Sequence, residues 1–137
     1  MIELIAPCGM YCGYCNNYLA FKNSIQKKRY KVSHCSGCRI RDKQCSFFKK
    51  RCKYIRDKEV RYCFQCVEYP CEILIRFDKS YQKRYNVSFI NNFKIIQELG
   101  EEEFIEYINR DYTCNKCGEV KSVHSGNCYV CDLDIVK

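Results

Sequence analysis

Between residues 72 and 110 apolar side chains recur every three or four positions, the spacing of one face of a helix. Ile73, Phe77 and Tyr81, with Leu74 beside them, form a first stripe. Pro70 lies near its expected start, where a missing N–H costs little. Phe89, Phe93 and Ile96 share a face of a second helix, read from Ser88 to Leu99, with Gly100 as its stop. "EEEFIEYINR" reads as a third helix, its opening acids favoured by the helix dipole and Phe104, Ile105 and Ile108 turned inward. A shorter helix is expected over "NNYLAFKNSIQKK", residues 16–28. The chain has no tryptophan, so tyrosine and phenylalanine must supply most of the buried area.

Outside the helical region the pattern is set by cysteine. There are 14 in 137 residues, against 2 histidines, His34 and His124. Residues 1–71 carry ten of them and residues 111–137 the other four. Five C-x2-C pairs occur: Cys12/Cys15, Cys35/Cys38, Cys63/Cys66, Cys114/Cys117 and Cys128/Cys131. Thiolates that close in sequence converge on one ion, and two such pairs complete a tetrahedral site. Disulfide scaffolds instead join distant cysteines. "MIELIAPCGM" has no basic leader region and no apolar run elsewhere reaches membrane-spanning length. The expectation is a cytoplasmic protein, where thiols stay free for metal.

Metal binding changes the reading of charge. The formal net charge of +8 counts every cysteine as neutral, and each filled site of four thiolates and a divalent ion would offset about two positive charges. The distribution stays uneven. Residues 22–61 hold fifteen Lys/Arg against three Asp/Glu, interleaved with Tyr and Phe. That composition suits contact with phosphates and bases, and equally suits a solvated face that offsets thiolate charge. The solvated face is the preferred reading, and an unknown protein or nucleic acid is the partner that segment 22–61 would take in the alternative; no membrane and no small-molecule substrate is indicated.

Among the candidate sites the C-terminal one has the clearest spacing. Cys114, Cys117, Cys128 and Cys131 form C-x2-C-x10-C-x2-C with Gly118 after the first pair, the arrangement of a short zinc ribbon. His124, between the pairs, reads as an exposed loop residue. The N-terminal cysteines group less simply. Cys12, Cys15, Cys35 and Cys38 are expected to form one site and Cys45, Cys52, Cys63 and Cys66 another, with Cys8 and Cys71 as spares or alternative ligands. His34 is the weaker substitute for a thiolate. Cys8, Cys12 and Cys15 also have the C-x3-C-x2-C spacing of radical S-adenosylmethionine enzymes, but no alternating strands and helices follow them. There is no phosphate-binding glycine loop, no dinucleotide turn and no arrangement for nucleophilic catalysis, so no catalytic residue is proposed.

"LIAPCGMYCGYCNNYLA", "CSGCR", "YCFQCVEYPCEIL", "NFKIIQELGEEEF" and "CNKCG", in that order, resemble the bacterial and archaeal cysteine-rich proteins classed as domain of unknown function 3795. The resemblance implies a small cytosolic metal-binding protein, presumed to hold zinc, with no established reaction. In one place the chain departs from that pattern. Where relatives carry another cysteine between the positions of Cys45 and Cys52, this chain has Phe47, Phe48 and lysines. That weakens a site completed by Cys45 and Cys52.

The sequence therefore predicts a metal-stapled small protein, mainly α, with irregular zinc-knuckle segments and a small C-terminal β zinc ribbon. Its units would be a cysteine-rich lobe, 1–71, packed with helices 72–110, and a ribbon, 111–137. About three zinc ions per chain are expected, in a non-enzymatic binding module. The alternatives are a nucleic-acid-binding zinc protein and a redox or radical protein with an Fe–S cluster.

Overall fold

The computed structural model describes residues 2–30, 32–41, 52, 54, 57 and 59–131. The described residues are mainly helical: α1 (Asn16–Lys22), α2 (Lys27–Tyr30), α3 (Cys38–Arg41), α4 (Glu72–Tyr85), α5 (Phe89–Leu99) and α6 (Glu101–Tyr112).

The three later helices follow the apolar spacing. Leu74, Phe89, Phe93 and Phe104 have no exposed surface, and Ile96, Ile105 and Ile108 are buried beside them. Ser88 caps α5, its side chain accepting from the Asn91 N–H at 3.1 Å. A single residue, Gly100, separates α5 from α6. Its φ of 92° and ψ of 167° lie in a region open essentially to glycine, which permits so abrupt a junction. At the end of α4, Asn86 takes the left-handed conformation (φ 57°) and its N–H closes back on Gln82 O.

The helix expected over 16–28 is interrupted. Asn23 and Ser24 end α1: Asn23 Nδ2 donates to Leu19 O at 2.9 Å, and Ser24 has a φ of 53°. Polar side chains that bond their own backbone compete with helix continuation, and the chain restarts only at Lys27. The β character expected near the C-terminus reduces, among the described residues, to one antiparallel bridge between Thr113 and Val120. Both cysteine pairs there sit in tight turns, leaving too little extended chain between them to build a ladder.

The N-terminal segment threads under the helices. Ile5 and Tyr11 form an antiparallel bridge around a turn in which Ala6 N–H donates to Met10 O. Tyr11, Tyr14 and Tyr62 are almost wholly buried and join Phe89, Phe93 and Phe104 in one aromatic core. Edge-to-face contacts order these rings, Tyr14 on Tyr112 at 4.8 Å and Tyr11 on Phe104 at 6.4 Å among them. Asn92, buried on α5, donates to Gly9 O at 2.9 Å and holds the N-terminal turn against that helix.

One core residue is a carboxylate. Asp78 is 4% exposed on α4. Its oxygens accept from the Phe89 and Ile90 N–H groups, from Ser88 Oγ and from Gln82 Nε2. It places a negative charge at the positive end of α5 and satisfies N–H groups that the first helical turn leaves unpaired.

Candidate metal centre

The C-terminal cysteines are positioned by two turns after α6. In the first, Gly118 N–H donates to Cys114 O at 2.9 Å and Cys114 N–H to Glu119 O at 2.6 Å. Gly118 has a φ of 79°, the conformation its place after the pair implied. The N–H groups of Cys117 and Lys116 point at the Cys114 sulfur, and they bring that thiol down to about 7. Those of Cys131 and Val130 point in the same way at the Cys128 sulfur, although burial leaves that thiol raised on balance.

The two turns face each other. Cys114 Sγ lies 3.9 Å from Cys131 Sγ, Cys117 Sγ lies 3.6 Å from Cys128 Sγ, and all four sulfurs fall within 4.8 Å of one another. Four thiolates at about 2.3 Å from a zinc ion would stand about 3.8 Å apart along the edges of the tetrahedron. Cys114 and Cys128 are buried, Cys117 and Cys131 exposed, so the centre opens on one side. Within the quartet Cys131 is pushed up to about 12, first by its hydrogen bond to the Cys117 thiol. A cation arriving there would displace shared protons. This group can hold a metal ion.

His124 is not the exposed loop residue expected between the pairs. Its Nδ1 accepts from the Asn16 N–H at 3.2 Å, its Nε2 lies 3.3 Å from Tyr81 Oη, and its ring packs edge-on against Tyr85 at 4.8 Å. Burial lowers its pKa. The histidine docks the C-terminal segment on the helices and does not face the four sulfurs. Nothing in local sequence signals this, because Asn16 and His124 are 108 residues apart.

The N-terminal thiols lie in and around the core. Cys8, Cys12 and Cys63 are buried in it, and Cys15, Cys38, Cys52 and Cys71 pack against it. The first expected set is partly assembled. Cys38 N–H donates to Cys12 Sγ at 3.4 Å, and Cys35 N–H donates to Asn17 O at 3.1 Å, which seats Cys35 beside α1. The Cys38 thiol is raised, first by its hydrogen bond to the Cys12 thiol. Cys15 is pushed up to about 11, mainly by burial, with the Cys12 and Cys35 thiols adding to it.

The second expected set looks different in space. Cys45 lies outside the described residues. Burial raises Cys63, and its thiol neighbours in decreasing influence are Cys8, Cys52, Cys71 and Cys66. Cys8 and Cys71, spare in the sequence pairing, both act on the Cys63 thiol, and Cys8 acts on the Cys38 thiol as well. Cys71 also caps α4, its sulfur accepting from the Leu74 N–H at 3.5 Å. His34 turns its Nε2 to Ile25 O at 2.6 Å and its ring to Phe21.

Several basic residues of segment 22–61 are held within the molecule. Arg39 donates to Ile5 O and Arg61 O and lies over the Tyr62 ring at 4.7 Å. Lys22 pairs with Glu119 at 3.6 Å and Arg61 with Glu101 at 3.7 Å. No helix among the described residues is long and apolar enough to cross a membrane.

A family model described as "Protein of unknown function (DUF3795)" matches residues 4–76. That span takes in the ten N-terminal cysteines and the start of α4, and leaves the C-terminal four outside. No curated protein and no solved structure matches the chain.

Proposed function

From a chain that belongs to this cysteine-rich family of unknown function, we propose a metal-stapled binding module in which zinc holds irregular segments to a helical core. The observation that carries the reading is the convergence of Cys114, Cys117, Cys128 and Cys131 within 4.8 Å. Four thiolates and no nitrogen ligand make a closed, structural type of site. Cys12, Cys15, Cys35 and Cys38 form a second set in this reading, supported by the Cys38–Cys12 contact. The thiols around Cys63 form a third, in which Cys8 and Cys71 compete with Cys45 as partners of Cys52 and Cys66. About three zinc ions would then be held per chain.

Cobalt(II) substitution tests the reading. Intense visible bands of tetrahedral cobalt with thiolate charge transfer, bleached by added zinc, are the expected result. Protein purified without oxygen should be colourless; a brown preparation would instead support an Fe–S cluster. A nucleic-acid partner is the second reading, favoured by the run of exposed cations at Lys27, Lys28 and Arg29. Against it stand the intramolecular bonds of Arg39, Arg61 and Lys22. Retention of single-stranded RNA at low salt, weakening steeply as salt rises, would advance it.

A further inference from the structure

The chain between the two C-terminal turns is seated on the N-terminal thiol segment through one residue. Asn16 directly follows Cys15 and opens α1. Its Oδ1 accepts from Ser122 Oγ at 3.2 Å and from Tyr129 Oη at 2.5 Å, and its N–H donates to His124 Nδ1 at 3.2 Å. On the other side of Cys15, Tyr14 O accepts from the Val123 N–H at 2.9 Å. Ser122 is completely buried and also accepts from the His124 and Ser125 N–H groups, which folds the loop tightly around the joint. Tyr129 is the residue after Cys128 and is 3% exposed.

These contacts tie two thiol sets together. Joining Cys117 to Cys128 through an ion closes the ten residues between them, so that segment has lost much of its freedom before it docks. Docking in turn fixes Tyr129, and with it the neighbouring Cys128, before the ion arrives. Each event makes the other less costly in conformational entropy, and such a coupling must act equally in both directions.

We propose that metal loading at Cys114, Cys117, Cys128 and Cys131 is reciprocally coupled to the seating of the Cys12–Cys15 turn, with Asn16 as the joint. This rests on the proposed metal reading of the C-terminal site. Asn16 acts as a positioning residue, touching no sulfur of that quartet among its hydrogen bonds.

The experiment uses the full chain with all its N-terminal thiols in place, compared with the same chain carrying Cys117→Ser and Cys131→Ser, so that the zinc binding lost with those two thiols reports the C-terminal quartet. Zinc affinity is measured by competition with a chromophoric chelator, with Asn16→Ala or Tyr129→Phe added. Losing two hydrogen bonds at the joint should weaken zinc roughly tenfold in Asn16→Ala, and losing one should weaken it about threefold in Tyr129→Phe. A merely structural asparagine would lower the melting temperature and leave affinity alone. Amide exchange provides a second readout: the Asn16 and Val123 N–H groups, which donate across the joint, should exchange about tenfold more slowly once zinc is added. Equal affinities with and without Asn16, or exchange at both amides unmoved by zinc, would overturn the coupling while leaving the metal site standing. Absence of zinc binding by the unsubstituted C-terminal quartet would overturn the metal reading and take the coupling with it.

Discussion

The two ends of the molecule use the same side chain in different ways. At the C-terminal end two C-x2-C pairs lie in separate turns, and each turn aims its own N–H groups at its first sulfur. Their convergence needs only the short chain between residues 117 and 128 to close on itself, and the four sulfurs arrive within 4.8 Å. In the N-terminal half, thiols from Cys8 to Cys71 are spread through and around an aromatic core, and what brings them together is the packing of that core. Cys12 meets Cys38 and Cys63 keeps company with Cys8 because Tyr11, Tyr14 and Tyr62 are buried between helices. A locally closed site reports its ligands through spacing; a site assembled by tertiary packing does not.

Removing metal should separate the two ends most sharply. A structural zinc site contributes on the order of 10 kcal/mol of folding free energy, more than a core of this size can replace. Chelation is expected to abolish the cooperative melting transition, with amide protection lost first over residues 113–131. A chain that keeps both its transition and its C-terminal protection after demetallation would show that apolar packing alone holds the two ends.

The next effect concerns the junction of α4 and α5, which a carboxylate and not a thiol ties together. Asp78→Ala would leave the Phe89 and Ile90 N–H groups without their acceptor inside the core. The expected cost is about 3 kcal/mol in denaturant unfolding of the metal-loaded protein. Asp78→Asn, which keeps one acceptor oxygen, should cost roughly half as much. An unchanged midpoint in both variants would mean that α4 and α5 are held by apolar contact alone.

How much of this was legible in sequence follows from the same distinction. The periodicities of Ile73, Phe77 and Tyr81, of Phe89, Phe93 and Ile96, and of Phe104, Ile105 and Ile108, with the stop at Gly100, are local, and helices α4 to α6 were read from them. The C-terminal quartet was legible because both its pairs and its spacer are short. Asp78 was missed even though it falls four residues after Leu74, on a stripe otherwise apolar; an acid at such a position is a signal of an internal cap. The break at Asn23 and Ser24 was missed because apolar spacing continues to Ile25 past two residues that bond their own backbone. His124 and Asn16 gave no signal, since the contacts Asn16 makes with Ser122, His124 and Tyr129 span more than a hundred residues. The β ribbon was over-read: knuckle turns alone satisfy the cysteine spacing, and only the Thr113–Val120 bridge accompanies them among the described residues.

The smallest predicted effect is a pH dependence at the joint between the two ends. His124 accepts a hydrogen bond at Nδ1 and must be neutral to do so. Burial depresses its pKa below the ordinary 6.5, and Tyr81 and Tyr85, which face it, offer no carboxylate to stabilise a charged ring. Its contribution is therefore complete above about pH 6.5 and is lost as pH falls toward and through the depressed value. His124→Asn keeps an acceptor but cannot titrate. The stability advantage of wild type over this variant should shrink between about pH 7.5 and 5.5. A gap that holds constant across that range would remove His124 from the joint.

The most direct measurement is metal stoichiometry by elemental analysis of protein purified without oxygen, compared between wild type and Cys117→Ser/Cys131→Ser. These two cysteines are exposed, one in each C-terminal turn, so their replacement leaves the buried core in place. The account predicts that the variant carries one zinc ion fewer per chain than wild type while its helical content is kept. An identical metal content in the two proteins, or none in either, would contradict it.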